Sequence, residues 1–248
     1  MAELALPAAT PPRSAGWSPK PWGLREIAVA VLYPLAILAL ALTVTLATDT
    51  SAVEASDADV IAGLVISLAV IDGGLAGLVW GLAMARCGAS LADLGFRRLP
   101  LGRLWLAAGL VLIAYAAVVI YQLALLPFGV TPEQETETLV QSPAVLPLSA
   151  FAVVVVAPLV EETFFRGFVF GGLAPRLGWF PAAAVSGLLF GAVHGTSPEA
   201  LPLIVPFTVI GAAFAWGYHW TGSLWVSIAA HFLFNAISFT LLAVYELS

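Results

Sequence analysis

Apolar runs of about 20 residues, the length that crosses a bilayer core, recur at Ile27 to Ala47, Val60 to Met84, Leu101 to Leu126 and Leu146 to Phe170. Further apolar segments at Pro181 to His194, Leu201 to Trp220 and Ser223 to Tyr245 are broken only by short polar turns at Gly195 to Glu199 and Thr221-Gly222. In lipid a spanning segment must satisfy its own backbone, so the pattern predicts an all-α polytopic integral membrane helical bundle of about seven transmembrane segments, seven to eight. Residues 1–24, rich in Pro and Ala, are expected to form a disordered cytoplasmic N-terminal tail, and residues 25–248 a single transmembrane domain. The run from Ile27 is longer than a signal-peptide core and lacks an adjacent cleavage pattern, so it reads as the first span.

Composition agrees with the pattern. With 61% hydrophobic and 10% charged residues, the chain has too little polar surface to coat a water-soluble globule. Cys87 stands alone and closes no internal disulfide, and a net charge of −6 offers no basic patch for nucleic acid. Basic residues are informative through their positions. With the N-terminus in the cytoplasm, Arg13, Lys20, Arg25, Arg86, Arg97, Arg98, Arg103 and Arg176 all fall on the inner side, and Arg166 is left inside the membrane. The outer loops are acidic, carrying Asp49, Glu54, Asp57 and Asp59 in one and Glu133, Glu135 and Glu137 in another. Trp17, Trp22, Trp105, Trp179, Trp220 and Trp225 lie near span ends, where interfacial anchors are expected. The preference for Arg over Lys and the abundance of Ala point, by association, to a bacterial inner membrane.

The candidate chemistry lies in three helical pairs. Glu161 and Glu162 sit in an apolar helix with Arg166 one turn beyond Glu162, and each ionisable group at bilayer depth costs at least about 2.5 kcal/mol. The i, i+4 spacing lets Glu162 pair with Arg166, whereas Glu161, rotated by about 100°, is free to face elsewhere. Phe190 and His194 share a helix face, as do His231 and Asn235. A rise of about 1.5 Å per residue puts Glu161, His194, His231 and Asn235 roughly 21, 21, 12 and 18 Å from the cytoplasmic ends, so one cavity can hold all four. A carboxylate, two imidazoles and a carboxamide supply a base for water and donors for an oxyanion, but also the parts of a proton relay. Pro158, one turn before Glu161, removes a helical hydrogen bond and frees a backbone carbonyl. Asp72, beside Gly73 and Gly74, is expected to be structural, bonded where the glycines let helices approach closely.

The patterns Glu161-Glu162-Thr-Phe-Phe-Arg166, Phe190-Gly-Ala-Val-His194 and His231-Phe-Leu-Phe-Asn235, taken in that order, resemble the CAAX protease and bacteriocin-processing (CPBP, or Abi) family of intramembrane proteases. The resemblance covers residues 146–238, and the first 140 residues carry no matching motif. It implies an endopeptidase that hydrolyses a peptide bond of a membrane-associated protein or peptide. Glu161 would activate water with help from His194, His231 and Asn235 would stabilise the oxyanion, and Glu162, Arg166 and Phe190 would support the site. Glu161, His194 and His231 are also a possible ligand set for Zn or another divalent metal, although no His-Glu-x-x-His pattern is present, so metal-dependent and metal-free mechanisms both stay open. The alternatives of another class are a non-proteolytic membrane scaffold, as in bacteriocin immunity, and a proton-coupled transporter, which predicts an internal repeat and a two-sided pathway. No nucleic-acid partner is expected, and oligomeric state is not encoded in any visible motif.

Overall fold

The structure, a computed structural model, describes residues 19–47, 55–130 and 137–247. The greater part of the expected tail lies outside these residues, as do Arg13, Trp17, Asp49, Glu54, Glu133 and Glu135. Among the described residues the protein is all-helical. Seven apolar helices form the bundle: α1 Leu24–Ala47, α2 Asp57–Ala85, α3 Leu101–Phe128, α4 Leu146–Leu177, α5 Trp179–Ala192, α6 Leu201–Thr221 and α7 Trp225–Glu246. Six are long and apolar enough to cross a membrane. The seventh, α5, has 14 residues and is about 21 Å long, short of the roughly 30 Å hydrocarbon core.

Local sequence sets the ends. Ser56 caps α2 reciprocally with Asp59: each accepts the other's backbone N–H, at 3.3 and 3.1 Å. The short α5 pairs with α6 as a hairpin, and small residues allow the two backbones to touch. A Cβ on Gly187 would lie 2.6 Å from the Thr208 carbonyl oxygen, a position only glycine can occupy. The hairpin's turn carries His194 just past the end of α5, its N–H donating to Gly191 O at 3.0 Å.

Helices α2 and α4 are not regular. Wide, π-type turns occupy Leu68–Asp72 and Val79–Ala85 in α2, and Phe151–Val156 and Glu162–Phe170 in α4. In α4 they flank Pro158, which has no N–H to donate. Because Ala157 N–H already bonds five residues back to Ala152 O, the carbonyl deprived by the proline is that of Val153.

One end of the bundle gathers the basic side chains. Arg86 approaches Glu26 at 3.7 Å, Arg176 donates to Trp22 O at 3.2 Å, Lys20 donates to Asp93 O, and Ser223 donates to Arg97 O at 2.7 Å. Gly95, with φ +101°, turns the connecting loop so that Tyr218 donates to Leu94 O. Trp22 departs from its expected interfacial position. It is 1% exposed, its ring stacks on Phe168 at 5.5 Å and its indole N–H donates to Phe168 O at 3.0 Å. Gly172 leaves room for that indole. Residues 20–23 therefore belong to the bundle. Trp105, Trp179, Trp220 and Trp225 are exposed near helix ends, as expected.

Candidate active site

The three motifs converge on α4, but they form two neighbouring centres. The first is dry. Glu162 and Arg166 are both fully buried, with Arg166 Nη1 3.0 Å from Glu162 Oε1. The same oxygen accepts a hydrogen bond from His231 Nδ1 at 2.9 Å. None of the guanidinium nitrogens makes an aligned hydrogen bond, so the pair is held by charge at short range. Aromatic faces complete the cage: the guanidinium carbon lies 4.2 Å from the Phe190 ring centre, 5.5 Å from Phe214 and 5.9 Å from Phe165. Glu162 thus holds two partners where the spacing foresaw one. The imidazole expected to face Glu161 is instead anchored to its neighbour.

The second centre is a cavity of about 350 Å³ bounded by α1, α2, α4 and the turn after α5. Glu161 and His194 line it. Glu161 Oε2 is buried and has no hydrogen-bond partner. His194 Nδ1 lies 2.7 Å from Phe190 O, and since a carbonyl can only accept, Nδ1 carries the hydrogen and the neutral ring keeps Nε2 as an acceptor. The ring is clamped by stacking on Phe207 at 4.2 Å and 12°. The charges of Asp72, His231, Glu162 and Arg166 all act on Glu161.

The expectation that all four catalytic candidates line one space is not met. His231 and Asn235 are absent from the cavity wall. Phe190 explains the first: its ring packs on His194 at 4.6 Å and on His231 at 5.8 Å, so the imidazoles meet through a phenyl ring. The carbonyl freed by Pro158 explains the second, because Asn235 Nδ2 donates to Val153 O at 2.8 Å and fills the vacancy in the helix. The candidate metal ligands Glu161, His194 and His231 do not converge either. Among the described residues, no three His, Cys, Asp or Glu side chains come together as an ion-binding group.

Asp72 also departs from its expected role. Its carboxyl makes no hydrogen bond or ion pair with another described residue; it lies 9% exposed on the cavity wall, at the end of a wide turn of α2. The glycine part of that expectation is met by Gly74, where a Cβ would collide with the Tyr33 ring of α1. Sequence reasoning did not find Phe165 and Phe214 as walls of the arginine cage, and no periodicity distinguishes them from other buried aromatics.

Comparison with known proteins bears on the same half of the chain. Residues 143–237 match the family model described as Type II CAAX prenyl endopeptidase Rce1-like. The "Putative membrane peptidase YdiL" of Bacillus subtilis (strain 168) is 30% identical over 133 residues, 53% of this chain and 53% of that protein. The "Membrane-embedded CAAX protease MroQ" of Staphylococcus aureus (strain USA300) is 30% identical over 136 residues, 50% of this chain and 53% of that protein. The chain spans about half the length of the curated relatives it matches. No solved structure matches it.

Proposed function

We propose that this chain, which is similar to the Rce1-like CAAX prenyl endopeptidases over residues 143–237, is a multi-pass intramembrane endopeptidase that uses Glu161 as its base. The observation that carries this reading is the unpartnered Glu161 Oε2 on the wall of a cavity shared with His194. Glu161 takes a proton from water as the water oxygen bonds to the scissile carbonyl carbon and the carbonyl becomes an oxyanion. Collapse of that intermediate breaks the C–N bond, and Glu161 returns the proton to the leaving nitrogen. His194 Nε2, fixed as an acceptor, orients the water. His231 in its imidazolium form, with Nδ1–H held by Glu162 and Nε2–H free, and the second amide hydrogen of Asn235 are the donors for the oxyanion, and His231 reaches it when substrate opens the Phe190 contact. The substrate segment enters unwound, because an intact helix satisfies its own carbonyls. The basic end of the bundle faces the cytoplasm, following the positive-inside bias.

This reaction needs no ion. Glu161 and the two histidines have the donor chemistry of a zinc site, and a His231 held to Glu162 through Nδ1 still offers Nε2, but the three side chains do not come together among the described residues. The test is reconstitution into vesicles with membrane-associated peptides in ¹⁸O-labelled water. We expect peptide cleavage with label in the new carboxyl, unchanged after verified metal removal. Absence of cleavage across a broad peptide set, or loss on chelation reversed by added metal, would overturn the reading.

A further inference from the structure

The cavity has more acceptors than donors. Six of its lining residues carry polar side chains: Tyr33, Ser67, Asp72, Glu161, His194 and Thr196. Two are carboxyls, the His194 ring offers a bare Nε2, and the Tyr33 hydroxyl already donates to Val70 O. Only the hydroxyls of Ser67 and Thr196 remain as side-chain donors. No cation lines the space, because Arg166 is sealed behind α4 by Glu162 and the aromatic cage. Water for the reaction satisfies Glu161 and His194, and it leaves Asp72 over. A carboxyl nine-tenths buried, unpaired and on a cavity wall is unfavourable alone and is completed by a ligand that brings hydrogens and positive charge. The rest of the wall is apolar, and Ile37 and Leu38 of α1 with Leu68 and Ile71 of α2 form an aliphatic stretch of it. That combination fits a long side chain with an apolar stem and a charged tip.

We propose that Asp72 is a specificity-determining residue that receives the lysine or arginine side chain of a substrate residue near the scissile bond, the stem lying along the aliphatic wall. The proposal rests on the endopeptidase reading of the same cavity. Asp72 lies outside residues 143–237, so nothing in the family match assigns it a role.

The test is binding of short apolar peptides, acetylated at the N-terminus and amidated at the C-terminus, that differ only in one central residue: lysine, arginine or norleucine. Binding is measured on the Glu161→Gln protein, so the result does not depend on turnover. The lysine and arginine peptides should bind at least about tenfold tighter than norleucine, as one charge-assisted hydrogen bond implies. Adding Asp72→Asn should erase that difference, and Asp72→Ser provides a second neutral variant if the first does not fold. Asp72→Glu should retain a preference for the cationic peptides. Equal affinities for all three peptides, or a preference that survives both neutral variants, would overturn the proposal. The two readings fail separately: a lysine preference without Glu161-dependent cleavage sinks the endopeptidase reading, and cleavage with equal binding sinks this one.

Discussion

Glu161 and Glu162 are consecutive residues of one helix, yet they face opposite situations. Glu162 lies in a fully buried knot, where one oxygen serves both Arg166 and His231 while the other is buried without a hydrogen-bond partner. Glu161 lies on a cavity wall with an oxygen that meets nothing. The rotation of about 100° between neighbours on a helix is enough to separate a carboxylate that holds the fold from one that is available for chemistry. A buried carboxylate that holds a charged partner tells of architecture, and one without such a partner beside a space tells of a ligand.

The comparison breaks most severely at Glu162. Glu162→Gln leaves the Arg166 charge buried beside a neutral amide and gives His231 a neutral acceptor in place of a charged one, a loss of about 3–5 kcal/mol for a broken buried pair. Thermal unfolding in detergent should show it, and a variant as stable as wild type would contradict the knot. Next, His194→Phe keeps the stacking on Phe207 but removes both ring nitrogens, and should lower kcat about a hundredfold while leaving the melting temperature close to wild type. Asn235→Ala strips the partner from Val153 O and should destabilise by about 1–3 kcal/mol. Pro158→Ala restores the missing N–H, so Asn235→Ala should be milder in that background, which a double-mutant cycle of unfolding free energies can detect. The smallest effect belongs far from both centres. Hydrogen bonds from the Ser90 side chain and backbone, aided by the charges of Lys20 and Arg97, hold the Asp93 carboxyl below its ordinary value, against a lesser opposing effect of burial. A depressed folded-state value stabilises above the unfolded value near pH 4 and is lost as pH falls through the folded one. Asp93→Asn should therefore lower stability slightly at neutral pH, flatten the acid limb of the profile and leave stability at the acid end almost unchanged.

Much of this was legible in the chain. Runs of about 20 apolar residues marked the helices, and the i, i+4 spacing of Glu162 and Arg166 stated their pairing outright. The short α5 was visible as an apolar segment, but its reach was not, since hydropathy does not say where a helix turns back. Contacts across long sequence separations were illegible for a different reason. His231 meets Glu162 across 69 residues and Asn235 meets Val153 across 82, and the second depends on a backbone register that Pro158 alone does not specify. Had α4 been regular at that point, the proline would have freed the Val154 carbonyl, on another face. Asp72 was misread because neighbouring glycines suggested close packing. The packing is there at Gly74, while the acid two residues earlier, at the end of a wide turn, lies on the cavity wall. Trp22 was misread as an anchor because nearness to a span end says nothing about which way the preceding segment folds.

The central claim is that Glu161, and not its neighbour, activates water. The most direct measurement is the turnover of Glu161→Gln against wild type on one cleaved peptide, with both proteins shown to melt at the same temperature. A general base contributes about 10²–10⁴ in rate, so kcat should fall at least a hundredfold with the fold intact. A folded Glu161→Gln protein that cleaves at the wild-type rate would contradict the account.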